Sequence, residues 1–383
     1  MKVALVHYWL VGMRGGEKVL EALCRIFPQA DIFTLVLDPG KISPTIARHR
    51  IETSFLQRIG GRRHYQKMLP LMPFALEAFD LTSYDLVVSS EAGPAKGIIP
   101  APDAVHVCYC HSPMRYIWDL QAQYCRESGW LTRKMLRTTG PLLRQWDVTT
   151  AARVDHFVAN SAFVAKRIEK YYRREASVIH PPVDLDRFSI SPEVADYYLC
   201  AGQITPYKKI EVAVDAFTRS GRPLVVIGGG ASPALRRRAG PNVAFLGMVD
   251  DATMAERFAR CRALVFPGVE DCGIVPLEVM ASGRPVIAFG RGGVTETVTA
   301  GETGLFFHDQ TAEALNDAVD RFEATISDFQ PEAIRRHART FGGADFERKL
   351  AAFIFDKVNG DPRPSAHRPR AIPATGRTSD VAA

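Results

Sequence analysis

The stretch VFPGVEDCGIVPLEVMASGRPVIAFG, residues 265–290, contains two short apolar runs separated by a loop and a helical segment. Short apolar runs bounded by Gly and Pro are typical of strands buried inside a parallel sheet. Pro276 is favoured in the first turn of a helix, so we expect a helix to begin near it. The stretch therefore predicts a β–loop–α–β unit, the repeating element of a doubly wound α/β sheet.

The same alternation occurs twice along the chain. Strand-like runs such as KVALVHYWL and YDLVVSS recur in the first half, and the pattern restarts with YYLCAGQI at residue 197. The X-Pro-Pro break and turn residues in VIHPPVDLDRF (178–188) place a linker after Phe188. We predict one domain over 1–190, a second over 191–342, and a C-terminal helix over 343–358 that packs back on the first. A Pro-rich disordered tail follows over 359–383.

Composition narrows the class of protein. The 383 residues are 46% hydrophobic and 23% charged, which is typical of a soluble globular protein, and the net charge of +6 fits either an ordinary solvated surface or an anionic partner. No nucleic-acid-binding motif and no run of about 18 apolar residues occurs, so we expect a cytoplasmic protein, or one bound peripherally to the membrane, and no nucleic-acid partner. The seven cysteines form no CxxC pair and indicate a reducing compartment. In CYCH (108–111) the strand alternation turns His111 away from the two cysteines, so we expect no zinc.

Two carboxylates flank the start of the helix in the opening stretch. The amides of Cys272, Gly273 and Ile274 are expected to point outward as donors for a diphosphate. Glu270 precedes them and Glu278 is expected in the first helical turn, where each could accept hydrogen bonds from a pair of sugar hydroxyls. Glu278 could also be a helix-start acid stabilised by the dipole. That simpler role does not explain Glu270.

Glycine and lysine residues follow other predicted strands. Gly15 and Gly16 open a helix after the first strand, where the backbone can approach a ligand closely. Lys208 or Lys209, at the start of a later helix, would be stabilised by a nearby anion, although a solvated lysine is the simpler interpretation. Main-chain groups from Gly247 to Val249 could line a base pocket. The first-domain glycines do not match G-x-G-x-x-G, but Asp38 ends the second predicted strand, so these motifs are also compatible with a dinucleotide-dependent dehydrogenase.

With these motifs in order, the chain resembles the family-four retaining glycosyltransferases of the GT-B fold over about residues 1–358. The match rests on the E-x7-E spacing of Glu270 and Glu278 and on MASGRPVIAFGRGGVTETVTAGETGLFF (280–307). Three further stretches, GMRGGEKVLEALCRIFPQADIFTLV, HVCYCHSPMRYIWD and FVANSAFVAKRIEKYY, are similar to the bacterial branch of surface-polysaccharide mannosyltransferases. The resemblance implies two Rossmann-like, doubly wound parallel-sheet domains that face a cleft.

The resemblance also implies roles for the site residues. Glu278 would bind the nucleotide ribose, Glu270 the transferred sugar, and Lys208 the departing diphosphate, with His111 near the reacting sugar. The remaining donor-binding candidates are Gly15, Gly16, Gln203, Gly247, Val249, Cys272, Gly273 and Ile274. Two positions depart from the family pattern. Gln203 stands where many members carry arginine, so diphosphate stabilisation would depend on Lys208, the helix amides or a basic side chain such as Arg14 or Arg115; Cys272 stands where phenylalanine is common.

The expected reaction is transfer of a hexose, with GDP-mannose as the favoured donor, onto a polyprenyl-diphosphate-linked saccharide in exopolysaccharide or O-antigen assembly. We expect no cofactor. The DLD string at 184–186 is similar to a metal-binding DxD motif, but the resemblance to this branch assigns it to the VDLDRF loop, so we also expect no metal. Two basic, apolar segments are candidate acceptor or membrane contacts, although they could equally be ordinary surface helices. Their basic residues are Arg62, Arg63, Lys67, Arg133, Lys134 and Arg137. The sequence is also compatible with a nucleotide-sugar 2-epimerase, a UDP-sugar-dependent transferase or a non-catalytic binding module.

Overall fold

Two parallel β-sheets organise the computed structural model, which describes residues 1–361. The first sheet has the strand order β3-β2-β1-β4-β5-β6-β7. Its strands are β1 Val3–His7, β2 Asp31–Thr34, β3 Ile51–Thr53, β4 Leu86–Glu91, β5 Val105–Cys110, β6 His156–Ala159 and β7 Ala176–Val178. The second sheet has the order β10-β9-β8-β11-β12-β13. Its strands are β8 Tyr198–Ala201, β9 Leu224–Ile227, β10 Val243–Gly247, β11 Leu264–Phe266, β12 Val286–Phe289 and β13 Gly304–Phe307.

Helices connect and cover the strands, as parallel pairing requires. In the first half they are α1 Gly15–Ile26, α2 Pro44–Ala47, α3 Gly61–His64, α4 Met72–Glu77, α5 Gln121–Glu127, α6 Trp130–Ala151 and α7 Ala162–Tyr172. In the second half they are α8 Ile210–Ser220, α9 Pro233–Arg238, α10 Asp251–Arg260, α11 Ile274–Ala281, α12 Val294–Thr297, α13 Ala312–Ala324, α14 Pro331–Arg339 and α15 Gly343–Gly360. The predicted α/β class with two parallel-sheet domains is confirmed.

Helix α15 crosses back to the first sheet. It buries Phe346, Leu350, Ile354 and Val358, spaced four residues apart on one face, in the apolar core that α1 and β5 share. Because Val358 anchors the last turn, the helix extends to Gly360. Residues 359 and 360, which the sequence assigned to a disordered tail, are therefore helical. Residues 362–383 of that prediction lie outside the described residues.

The order of the strands places the site. In each sheet the direction in which successive strands are added reverses between two central strands. The reversal lies between β1 and β4 in the first sheet and between β8 and β11 in the second. Ligands of open parallel sheets bind at such switch points, beyond the carboxyl ends of the strands. The loops after β1, β8 and β11 therefore lie where a ligand is expected, and they lead to the predicted Gly15, Lys208 and Glu270.

Candidate active site

Lys208 and Glu270 meet at the switch point of the second sheet. Lys208 ends a short 3-10 turn after β8, Glu270 lies in the loop after β11, and Lys208 Nζ is 2.8 Å from Glu270 Oε1. The neighbouring Lys209 has a left-handed backbone with φ of 53°, which costs a non-glycine residue about 1–2 kcal/mol. That turn reverses the chain between the 3-10 turn and α8 and leaves Lys208 facing the β11 loop.

The anion-binding end of α11 lies beside this pair. The helix begins at Ile274, two residues before the predicted start at Pro276, because Gly273 adopts φ of 78° and turns the loop directly into the helix. No side chain caps the first turn, so its amides remain available as donors. Cys272 is buried beneath the loop, consistent with a contribution through its backbone alone.

Glu278 lies farther along α11 than predicted, as its fifth residue rather than in the first turn. It lines a cavity of about 770 Å³ between the domains, together with Arg14 from the first domain and Asp184 and Arg187 from the connecting loop. Burial raises the pKa of the Glu278 carboxyl to about 7; Arg187 opposes the shift and Asp184 adds to it. Glu270 and Glu278 are thus in different environments, one paired with a lysine and one facing an open cavity.

The first domain closes on α11 through its glycine loop. A Cβ added to Gly15 would lie 2.8 Å from Ile274 Cδ1, and one added to Gly16 would lie 3.6 Å from His111 Nε2. His111 Nε2 is also 3.0 Å from Ser90 Oγ. Burial, with a smaller contribution from the neighbouring His7, lowers the pKa of His111 to about 3, so the imidazole is neutral at pH 7. The structure brings Gly15 and Gly16 together with His111 and the start of α11.

The predicted nucleotide-side residues form a second group in the second domain. The Gln203 amide lies 3.2 Å from where a Cβ at Gly230 would stand, and the Met248 sulfur lies 3.4 Å from the same position at Gly229. Gly247 turns the chain with φ of 70°, and Val249 packs on the core of the domain. These loops adjoin one another beyond β8, β9 and β10.

Asp271, which we did not predict, links the two domains. Its carboxylate pairs with Arg115 and, at 3.0 Å, with Arg167, both from the first domain. Arg167 also donates to Ser112 Oγ at 2.5 Å and to Asp119 at 2.5 Å. Asp271 follows Glu270 directly, but pairing across more than one hundred residues cannot be read from sequence spacing.

Glu296 forms a second interdomain link that we also missed. One carboxylate oxygen accepts from the Ala162 amide at 2.7 Å and the other from the Phe163 amide at 2.9 Å, so a second-domain acid caps the first-domain helix α7. Burial alone would raise the pKa of Glu296, but His180, 3.2 Å away, and the two amides lower it below its ordinary value. Glu296 was visible in the sequence, in the TET of the stretch 280–307 quoted above, but nothing in the sequence indicated which residues it binds.

Two of the six candidate acceptor or membrane residues form hydrogen bonds within the protein. Arg62 is tied to Asp38 at 2.8 Å, and Arg133 donates to the carbonyls of Cys125 and Ser128. Arg63, Lys67, Lys134 and Arg137 are exposed. Both segments pack on one apolar cluster of the first domain. Within residues 1–361 no cluster of ligands suited to a metal ion occurs, and no helix is long and apolar enough to cross a bilayer.

Comparison with known proteins gives consistent matches. The family model for Glycosyltransferase Family 4 matches residues 13–187, and the model for Glycosyl transferases group 1 matches residues 195–324. A D-inositol 3-phosphate glycosyltransferase of Streptomyces avermitilis is 30% identical over 236 residues, which cover 51% of this chain and 50% of that protein. A GDP-mannose-dependent alpha-(1-6)-phosphatidylinositol monomannoside mannosyltransferase of Mycobacterium tuberculosis is 29% identical over 280 residues, which cover 63% and 69%.

The alignments with the Streptomyces relatives span about half of those relatives' length. Among solved structures, Anabaena HepE in complex with UDP-glucose superimposes with a TM-score of 0.69 over 93% of this chain and 100% of its own, at 15% identity. At that identity the likeness shows a shared fold, and it confirms the predicted GT-B architecture.

Proposed function

We propose that this chain is a family 4 glycosyltransferase and that it transfers a hexose from a nucleotide sugar to an acceptor in the cleft between its two domains. The observation that carries the proposal is the Lys208–Glu270 pair beside the uncapped start of α11. A cation and free helix amides suit a diphosphate, whereas a carboxylate suits sugar hydroxyls. The site thus offers separate partners for the two halves of a nucleotide sugar.

The donor would lie across the carboxyl ends of the second sheet. The diphosphate meets Lys208 and the amides at Gly273 and Ile274, the sugar meets Glu270, and the ribose meets Glu278 in the interdomain cavity. The base rests on the loops that carry Gln203, Gly247 and Val249. From the other domain, the helix start at Gly15 and Gly16 covers the donor, and Arg115 supplies the positive charge that Gln203 lacks.

Breaking the bond to the sugar leaves a negative diphosphate and an oxocarbenium-like ring. Lys208 and the helix amides stabilise the first, as fixed donors placed where charge develops. Glu270, freed from Lys208 when the diphosphate binds, stabilises the second. We propose retention by front-face attack, in which the leaving phosphate oxygen takes the acceptor proton; a covalent glycosyl-Glu270 intermediate is the second possible route. His111 is neutral at pH 7, so it would orient a sugar hydroxyl through a hydrogen bond and would bring no positive charge to the site.

Mannose from GDP-mannose is the proposed donor. The support is the name of the mycobacterial relative, which is GDP-mannose-dependent, and the first-domain stretches that resemble surface-polysaccharide mannosyltransferases. A saccharide linked to a polyprenyl diphosphate is the proposed acceptor, in exopolysaccharide or O-antigen assembly. The enzyme would then meet its acceptor at the cytoplasmic face of the membrane, without a span of its own in the described residues.

Nucleotide release tests the donor and the chemistry together. Wild type, Glu270→Ala and the matched control Glu302→Ala, an exposed acid of the same domain, are incubated with a panel of GDP- and UDP-sugars and a crude extract of lipid-linked saccharides. We expect acceptor-dependent GDP release from GDP-mannose in wild type and control, and none in Glu270→Ala.

Other results would redirect the proposal. Release from a UDP-sugar alone would keep the transferase and overturn the donor. Conversion of the sugar nucleotide without any acceptor would identify an epimerase instead. Tight nucleotide-sugar binding without release from any donor, even with acceptor present, would refute catalysis and leave a binding protein.

A further inference from the structure

An arginine-lined cavity lies between α5 and α6, outside the donor site. Its volume is about 660 Å³, and four of its lining side chains are Arg126, Arg133, Arg137 and Arg144. Arg126 comes from α5 and the other three from α6. Two of the four are held in place: Arg133 donates to the Cys125 carbonyl at 2.7 Å, and Arg144 donates to Gln121 Oε1 at 2.9 Å. Two sides of the cavity are therefore fixed by the fold, while Arg126 and Arg137 are exposed at its edge.

The sequence of α6 is arranged for this cavity. Residues 133, 137, 140 and 144 follow helical spacing and share one face. Position 140 on that face is glycine, where a Cβ would lie 2.5 Å from Gln121 Nε2. Glycine inside a helix costs about 1 kcal/mol relative to alanine. At Gly140 it lets Gln121 approach closely enough to hold Arg144 toward the cavity.

No carboxylate balances these charges. Among residues 1–361, none of the four arginines forms an ion pair with an acid, although many other arginines of the chain do. Like charges gathered around one cavity repel each other, and an anionic ligand would relieve that repulsion. Guanidinium groups match phosphate oxygens in a bidentate geometry, so a phosphate or diphosphate is the ligand chemistry that fits.

A hydrogen bond connects the cavity to the loop that leads to the proposed reaction centre. Arg144 also donates to the carbonyl of Ile117, at 2.9 Å, in the loop that follows β5. That loop carries His111 at its start and Arg115, which pairs with Asp271 beside Glu270. A saccharide attached to a phosphate group in the cavity could extend along this loop into the cleft.

Apolar side chains stand open at the start of the same helix. Trp130 is 74% exposed and Leu131 is 66% exposed, and both lie within one turn of Arg133 and Lys134. Exposed Trp and Leu next to basic residues suit the boundary between lipid chains and head groups. An anion site with apolar residues beside it fits a molecule that joins a diphosphate to a hydrocarbon chain.

We propose that this cavity binds the diphosphate of the polyprenyl-diphosphate-linked acceptor, with the prenyl chain directed to Trp130 and Leu131 and the saccharide directed to His111 and Arg115. The assignment rests on the proposed glycosyl transfer for the identity of the acceptor. The anion site itself rests on the four arginines.

Binding of farnesyl diphosphate tests the site directly. Affinity is measured with saturating GDP present, so that the donor site is occupied. The test variant is Arg126→Gln/Arg137→Gln, which removes two cavity charges that hold no part of the fold. The control is Arg48→Gln/Lys170→Gln, which removes two exposed charges elsewhere in the same domain. We expect wild type and control to bind equally, the test variant to bind about tenfold more weakly, and inorganic diphosphate to displace the ligand. The KM for lipid-linked acceptor should rise in parallel, with the KM for GDP-mannose unchanged.

Three results would overturn the assignment. The first is no binding of farnesyl diphosphate under these conditions, and the second is a loss of affinity in the control variant equal to that in the test variant. The third is displacement of farnesyl diphosphate by phosphatidylglycerol vesicles as effective as that by inorganic diphosphate, which would make the cavity a lipid head-group site. Failure of the proposed function looks different. If farnesyl diphosphate binds and the test variant weakens it, but no donor releases its nucleotide, the anion site is supported and the transfer reaction is refuted.

Discussion

Replacing Glu278 by glutamine should stabilise the protein above pH 7 and at the same time weaken nucleotide binding. Burial raises the pKa of the Glu278 carboxyl from its ordinary value near 4.5 to about 7. A native state with the higher pKa holds the proton between these two values, so the free energy of unfolding falls as pH rises through that interval and stays lower above it. Glutamine carries no charge and removes this penalty.

The size of the effect follows from the shift. A change of about 2.5 pKa units corresponds to about 3 kcal/mol. The side chain lines an open cavity, where solvent screens part of the cost, so we expect Glu278→Gln to be about 1–2 kcal/mol more stable than wild type at pH 8 and equal to it at pH 4.5. Urea denaturation of both proteins at several pH values between 4.5 and 8 measures this, with Glu302→Gln as the exposed control.

Nucleotide binding should show the opposite sign. A carboxylate accepts two ribose hydroxyls better than a protonated carboxyl does, so wild-type affinity for GDP should rise as pH passes through about 7. Glu278→Gln should bind more weakly and without that dependence. The reasoning would be refuted if the variant were no more stable than wild type at pH 8, or if its GDP affinity kept the wild-type pH profile.

Three further perturbations address the contacts around the donor. Lys208→Met removes the cation that faces Glu270 and should lower kcat by about 10²–10³ with a smaller change in the donor KM, measured by steady-state kinetics; an unchanged kcat would assign the diphosphate to Arg115 instead. Gly293→Ala places a Cβ 2.2 Å from the Asp271 carbonyl oxygen, so it should displace the loop that carries Glu270. We expect it to lower the free energy of unfolding in urea by about 1–3 kcal/mol and to reduce transfer. The control Gly12→Ala, whose Cβ would have nothing within 4 Å, should change neither stability nor transfer. Glu296→Ala removes the acceptor of the Ala162 and Phe163 amides at the start of α7 and should enlarge the radius of gyration in small-angle scattering without donor; an unchanged radius would show that the remaining interdomain contacts, those of Asp271 and of α15, are enough to hold the domains. In wild type the same link should weaken only in acid, as pH falls through the lowered pKa of Glu296, since its contribution is present above the ordinary carboxyl value.

The sequence predicted those parts of the site that depend on local chain geometry. Strand ends and a helix start place Lys208, Glu270 and Gly273 because these features depend on short-range pattern and on the switch-point rule for parallel sheets. Element boundaries were less exact: α11 begins at Ile274, two residues before Pro276, because the left-handed Gly273 turns the loop directly into the helix. Glu278 is therefore the fifth residue of α11, two residues deeper than a start at Pro276 would place it, and it lines the interdomain cavity.

Contacts between the domains could not be predicted in this way. The partners of Asp271 and Glu296 lie more than one hundred residues away, and an ion pair or a capped helix leaves no periodic signal in a single sequence. The arginine face of α6 was visible as a basic, apolar segment. Only the packing of α5 shows that Arg133 and Arg137 share a cavity while Lys134 does not.

The adjacent acids Glu270 and Asp271 show why the donor site and the domain interface act together. Glu270 pairs with Lys208 within the second domain, and the next residue pairs with Arg115 and Arg167 of the first. A diphosphate that attracts Lys208 would release Glu270 toward the sugar, and it would draw Arg115 as well, because both cations face the same loop. Donor binding would then exchange ion pairs on both sides of one short loop without leaving a buried charge unpaired. In the donor-free protein, Glu270 and Asp271 would thus hold in place the two cations that a bound diphosphate would attract.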